Sequence, residues 1–284
     1  MARIIYKSAA EIARIREAGR VVSTVLAEMR EAVAPGVTTG ELDAMAFHII
    51  REHGGVPSFV GQRQGHIVYR SAICASVNEE VVHGIPGSRR LNEGDVVSLD
   101  VGVRLHGFHA DSAITVAVGQ VDDETARLLQ VTRESLWAGI RAVRHRGRLH
   151  DVSRAVQEYV EQRGFSVPKE LSGHGVGRQL WEPPAVFNYV DAGHENPPLL
   201  EGLVIAIEPM VNAGRAEIGV LDDGWTVVTQ DGRPSAHFEH TIAVTKGGCE
   251  VLTLGPHDPW PEARRPRDCN HHEAGEDRHE RTKL

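Results

Sequence analysis

Asp100 and Asp111 are the first residues in this chain whose types and spacing suggest chemistry. Each lies in a stretch that alternates apolar and polar residues, 95–103 and 108–118, and residues 104–107 between them read as a tight turn. A hairpin with its turn centred between Leu105 and His106 sets Asp100 directly across from Asp111. Facing Cβ atoms on paired strands stand about 4.5–5.5 Å apart, where two carboxylates repel unless a cation compensates them. A different register would send one acid to solvent.

Three more candidates join this pair. Glu208 occupies, in a second copy of the same strand pattern, the position that Asp100 holds in the first. His174 sits in Ser172-Gly173-His174-Gly175-Val176-Gly177, where glycines allow another backbone to approach closely. Glu239 lies in the strand-like run His237-Phe238-Glu239-His240-Thr241-Ile242-Ala243-Val244. Four carboxylates and one imidazole are mostly hard oxygen donors, a set that suits divalent first-row metals. Four negative charges match two such cations, and a pair of ions about 3.5–4 Å apart can activate a bridging water and polarise a carbonyl. The chemistry indicated is hydrolysis.

The elements that must position these residues form an internal repeat. Leu42, Met45, Ala46, Ile49 and Ile50 have the spacing of an amphipathic helix, and the positions 110 further on are Val152, Ala155, Val156, Tyr159 and Val160. Gly54 and Gly164 stop the two helices. The run from Glu93 to Asp100 likewise matches the run from Glu201 to Glu208, and both copies end on a carboxylate. Two similar helix-then-strand halves predict one domain with pseudo-twofold symmetry and a site between the halves. That domain is expected over residues 1–254, with 255–284, rich in proline and charge, as a disordered tail.

Composition narrows the function classes. The 284 residues are 41% hydrophobic and 25% charged, which suits a globular chain and excludes collagen-like or wholly disordered readings. A net charge of -8 offers nucleic acid no general attraction, so no nucleic-acid substrate is expected. Cys74, Cys249 and Cys269 form neither a disulfide framework nor a zinc frame. The first 26 residues lack a signal-peptide core, and no later run is apolar enough to span a membrane. A soluble, monomeric cytoplasmic protein without membrane contact is the expectation.

At these residues the sequence resembles the type I methionine aminopeptidases, creatinase-like metallopeptidases of family M24. The resemblance spans nearly all of residues 3–254 and rests on five segments in order. They are Ser76-Val77-Asn78-Glu79 with Val82-His83-Gly84-Ile85-Pro86, the run from Gly94 to Asp111, Gly173-His174-Gly175-Val176-Gly177-Arg178, the run from Ile207 to Gly214, and Phe238-Glu239-His240-Thr241. It implies an α+β pita-bread fold, a curved antiparallel sheet covered by helices. It implies two divalent ions (iron, manganese, cobalt or zinc), with Asp111 and Glu239 bridging, Asp100 on one ion and His174 with Glu208 on the other. His83 would bind substrate and stabilise the tetrahedral intermediate, and Glu208 would shuttle a proton. Tyr69, Cys74 and Trp225 would line a methionine pocket. The implied task is removal of the initiator methionine from nascent polypeptides and peptides, with a ribosome contact for which Arg141, Arg144, Arg146 and Arg148 form a candidate patch.

Two features depart from the family pattern. Seven residues after His174, where the family places a second histidine that contacts the substrate, stands Trp181. An indole N–H donates a hydrogen bond but cannot accept or exchange a proton, so reduced or altered turnover is expected. The loop 58–70 carries Arg63, Gln64 and His66 where the family has small, glycine or aromatic residues, and only Tyr69 there reads as a pocket aromatic. Altered substrate preference follows as an expectation. Two other readings therefore stand beside methionine removal: a related pita-bread metallopeptidase with a different preference, such as cleavage of Xaa-Pro bonds, and a catalytically weak homologue that binds peptides.

Overall fold

The structure, a computed structural model, describes residues 3–256 and Asp258. Four helices occur among the described residues: α1 (Ala9–Ala32), α2 (Thr39–Glu52), α3 (Asp123–Ala142) and α4 (Leu149–Glu161). Local chemistry sets their starts. The Ser8 hydroxyl accepts from the Glu11 N–H while the Glu11 carboxylate accepts from the Ser8 N–H, and Thr38 with Glu41 repeats this capping box on α2. At the ends of α2 and α4, Gly54 (φ 73°) and Gly164 (φ 82°) take the left-handed backbone expected of helix-stopping glycines.

Each pair of helices covers a half-sheet. In the first half the strand Val96–Leu105 pairs antiparallel with Phe108–Ala117 on one side, and with Ile73–Val77 and the short Val56–Pro57 on the other. In the second half the order is Gly248–Val251, His240–Thr245, Val204–Ile207, Ser172–Gly175, Glu182–Phe187, again antiparallel throughout. The stripe Ile15, Ala18, Val22, Val25 and Met29 of α1 joins Leu42, Ala46 and Ile50 of α2 against Val97, Leu99 and Val101. In the other half Leu136, Ile140 and Val152 close on Ile205, Ile207 and Ile242. Each such fully buried Leu or Ile stabilises the fold by about 1.5–3 kcal/mol relative to exposure.

The predicted repeat is present in the backbone. Gly36 N–H donates to the Leu91 carbonyl and Arg146 N–H to the Leu199 carbonyl, both at 2.7 Å, ahead of α2 and α4 respectively. Gly94 (φ 89°) and Gly202 (φ 88°) open the equivalent strands. The halves meet where Asp111 N–H donates to Thr241 Oγ1 at 3.0 Å, the Thr241 hydroxyl donates back to the Asp111 carbonyl at 2.7 Å, and Glu239 N–H donates to the Ala113 carbonyl at 2.9 Å.

The predicted register of the first hairpin is corrected. The turn consists of His106 (φ 51°) and Gly107 (φ 81°), so strand pairing runs to Leu105↔Phe108 and Asp100 faces Ala113 while Asp111 faces Gly102. Positive φ at both central residues is the two-residue hairpin geometry whose twist matches the flanking strands, which places the turn one residue later than expected. The pairing slips by two, so side-chain facing is preserved and the two acids are diagonal neighbours on one face. At the other end of the chain Gly255 N–H donates to Asp258 Oδ2 at 2.7 Å, and Asp258 Oδ1 lies 3.5 Å from His240 Nε2. The expected tail beyond these residues lies outside the described residues.

Candidate metal centre

The five candidate ligands converge at the junction of the half-sheets. Asp100 and Asp111 project from the first hairpin. Glu208 directly follows the strand Val204–Ile207 and Glu239 directly precedes His240–Thr245, and because Ile207 pairs with His240 both glutamates fall at the same end of that pair. His174 lies on the neighbouring strand, whose Gly175 pairs with Ile205. Its flanking glycines are needed for close approach: a Cβ on Gly173 would stand 2.4 Å from the Ala206 carbonyl oxygen, and one on Gly175 would stand 2.5 Å from that of Pro183.

Ligand atoms of Asp111, His174 and Glu239 lie within 4.8 Å of one another. His174 Nε2 is 3.5 Å from Glu208 Oε1 and 3.9 Å from Asp111 Oδ2. His174 Nδ1–H donates to the Gly175 carbonyl at 2.9 Å, which leaves the Nε2 lone pair turned toward the acids. Burial lowers this imidazole to about 4, against the Gly175 hydrogen bond and with nearby His83 adding to the drop, so it is neutral at pH 7.

The acids have no such relief. Burial, reinforced by neighbouring carboxylates, pushes Asp100, Glu208 and Glu239 well above the usual carboxylate range, and burial raises Asp111 to about 7. Asp100 Oδ1, Asp111 Oδ1 and Glu239 Oε1 are buried without a hydrogen-bond partner. Unpaired buried carboxylates are costly unless cations or donors satisfy them. Orphaned oxygens facing one another beside a neutral imidazole fit divalent metal ions.

The cluster forms one wall of a cavity of about 370 Å³, and all ten residues singled out in the sequence line it: Tyr69, Cys74, His83, Asp100, Asp111, His174, Trp181, Glu208, Trp225 and Glu239. Beside the acids, Phe59, Tyr69, Cys74, Leu180 and Trp225 pack together. Tyr69 meets Trp225 edge-on at 5.1 Å, and its hydroxyl donates toward the Ile73 and Gly84 carbonyls at 2.9 and 3.1 Å. Cys74 faces Asp100 across the strand pair, and burial, then the Asp100 charge, pushes its thiol up. His83 is held at φ 60°, left-handed backbone that a non-glycine residue rarely adopts, with its ring edge-on to Trp225 at 6.2 Å. Burial lowers the His83 imidazole to about 4. Trp181 is 44% exposed at the rim, edge-on to His174 at 6.5 Å.

Sequence reasoning missed three residues here. Phe59 is buried against Tyr69, which corrects the expectation that Tyr69 alone in its loop serves the pocket. Leu180 packs with this aromatic and thiol cluster without itself lining the cavity. The divergent Arg63, Gln64 and His66 are exposed and do not line the cavity. His237 is 2% exposed with Nε2 3.6 Å from Glu208 Oε2. No sequence signal marked it: the expected strand over 237–244 breaks at 238–239, so His237 ends the strand Ser235–His237 and Glu239 precedes His240–Thr245, and a two-residue spacing across that break fixes no common face.

The sequence matches metallopeptidase family M24 over residues 13–246. It is 48% identical over 250 residues to methionine aminopeptidase 1 of Bacillus subtilis, covering 88% of this chain and 99% of that one. It is 42% identical over 260 residues to the methionine aminopeptidase of Escherichia coli K12, covering 91% and 97%. The crystal structure of methionine aminopeptidase from Thermotoga maritima superposes with a TM-score of 0.84 at 42% identity, over 88% of this chain and 99% of that one. Prolidase from Pyrococcus furiosus, at 20% identity and a TM-score of 0.72 over 88% of this chain and 65% of its own, shares the fold alone. On this similarity and on the buried acid and imidazole cluster, the chain belongs to metallopeptidase family M24 and has its pita-bread fold.

Proposed function

We propose that this chain is a methionine aminopeptidase that removes the N-terminal methionine from nascent proteins and peptides. The observation that carries the reading is one cavity lined both by unpartnered buried carboxylates and by an aromatic and thiol surface. An unbranched thioether side chain suits such an apolar, polarisable wall. Asp100, Asp111, His174, Glu208 and Glu239 would together hold two divalent ions. When bound, these ions supply an activated water and a polarised carbonyl.

This chain's own side chains supply the rest. Phe59, Tyr69, Cys74 and Trp225 seat the methionine side chain and exclude water from it, with Leu180 packed against them. His83, neutral and fixed by its backbone, orients the scissile carbonyl and donates to the oxygen on which charge develops. Glu208 takes a proton and delivers it to the departing amine. Trp181 contacts the peptide beyond the scissile bond at the rim.

Nascent chains as substrate place the enzyme in the cytoplasm, with Arg141, Arg144, Arg146 and Arg148, all exposed around the α3–α4 turn, as the surface for ribosome contact and a monomer as the working form. Among the described residues no helix is long and apolar enough to cross a membrane. The test is methionine release from Met-Ala-Ser by protein reconstituted with manganese, cobalt or iron, run beside a peptide with an N-terminal Xaa-Pro bond. Release of methionine that EDTA abolishes supports the reading. Cleavage of the Xaa-Pro peptide alone, or of neither peptide, overturns it.

A further inference from the structure

We infer that His237 is a positioning residue for Glu208, donating from its Nε2–H to Glu208 Oε2 and so fixing the carboxylate that moves the proton. The inference rests on the reading of Glu208 given above. His237 ends the short strand Ser235–His237, where it pairs with Met210, two residues after Glu208. Its backbone is pinned twice by one side chain: Thr115 Oγ1 accepts from the His237 N–H and donates to the His237 carbonyl, both at 2.8 Å. The ring therefore has a fixed origin. Its Nε2 is buried without a hydrogen-bond partner, 3.6 Å from Glu208 Oε2.

Leaving a buried ring nitrogen unpaired costs about 1–3 kcal/mol, which a histidine kept only for packing would not repay. The separation is slightly longer than a hydrogen bond, as is common for functional contacts before substrate binds, and a small shift of Glu208 closes it. The other Glu208 oxygen, Oε1, faces His174 Nε2 at 3.5 Å, so the carboxylate stands between two imidazoles, one to each oxygen. Their roles divide by tautomer. His174 spends its ring proton on the Gly175 carbonyl and presents a lone pair, whereas His237 presents the proton. One oxygen is thereby held by a donor and the other left for the ligand and proton-carrying work.

The experiment compares wild type, H237L, which keeps volume without a donor, and H237Q, which keeps an N–H donor. Outer contacts to metal-site carboxylates are typically worth about 10–100-fold in activity, so H237L should lose at least about tenfold in kcat on Met-Ala-Ser. KM and metal content should stay within about twofold of wild type, and H237Q should recover most of the loss. A second readout needs no activity: long-range 1H–15N NMR of the wild type loaded with diamagnetic zinc, which keeps Glu208 ionised, should show the His237 proton on Nε2 at pH 7. H237L with unchanged kcat, H237Q folded yet as impaired as H237L, or a proton found on Nδ1 would each overturn the assignment. If H237L does not fold, the H237Q rate and the NMR tautomer still decide. A wild type that releases no methionine would instead overturn the proposed activity, with the tautomer still testing the contact.

Discussion

At the scale of single residues, the demanding feature is the concentration of buried carboxylates. Asp111 sits at its centre, 3.9 Å from His174 Nε2 and within ligand distance of Glu239. D111N keeps the size and removes the charge, so it should cut metal content below one equivalent and kcat by at least about a hundredfold, read by elemental analysis and single-turnover release of methionine. An Asn variant that binds metal normally and works at full rate would remove Asp111 from the centre. Trp181 tests the opposite direction. An imidazole at that rim position can both donate and accept, so W181H should raise kcat/KM on Met-Ala-Ser by several-fold, about 1 kcal/mol in transition-state binding. No gain would mean that the position does not limit the enzyme.

Much of this residue scale was legible in the sequence, because charged groups spaced along apolar strands have few explanations. His237 was not: its meaning lies in a contact with Glu208 across strands, and a lone histidine carries no mark of that partner. Phe59 and Leu180 were hidden for a related reason. Both read as ordinary apolar residues, and only the fold brings Phe59 to the cavity and packs Leu180 against the residues that line it.

At the scale of elements, the two repeat helices and the strands Val96–Leu105, Phe108–Ala117 and Val204–Ile207 were predictable from periodicity, while their register and the break at 238–239 in the expected strand 237–244 were not. The slip between the predicted and observed pairing of Asp100 and Asp111 came from the turn, since His106 with Gly107 takes a geometry requiring positive φ at both positions. The error was harmless to the site because strand faces repeat every two residues. Within the joint between half-sheets, one side chain serves both backbone groups of Asp111. The Thr241 hydroxyl is fully buried and satisfies both the N–H and the carbonyl of Asp111. T241V, nearly isosteric, leaves both groups unpaired and should cost about 2–4 kcal/mol of unfolding free energy. T241S, retaining the hydroxyl, should cost less than half as much. Urea denaturation of the two variants beside wild type reads the difference directly, and equal losses would show that the methyl group and not the hydroxyl holds the joint.

At the scale of the whole molecule, two similar halves bring acids to one interface that neither half holds alone, and the repeat that foretold this symmetry also predicts how metal and stability are linked. The folded pKa of Asp111, about 7, lies above the ordinary value of 3.8, and those of Asp100, Glu208 and Glu239 are raised as well. Between about pH 4 and 7 the metal-free folded state therefore binds more protons than the unfolded chain, so stability falls as pH rises through that window. Above it, the fold carries the cost of an ionised, buried Asp111. Divalent ions reverse this, because they bind the ionised carboxylates, and their affinity grows as protons leave. The gap in Tm between manganese-loaded and EDTA-treated protein should thus widen from pH 5 to pH 8, by about 5–10 °C if the Asp111 shift alone is expressed at about 1.4 kcal/mol per unit. Calorimetry across that range measures it. Parallel curves would mean that the acids are not protonated together in the metal-free fold, and that some cation other than a dissociable metal already balances their charge.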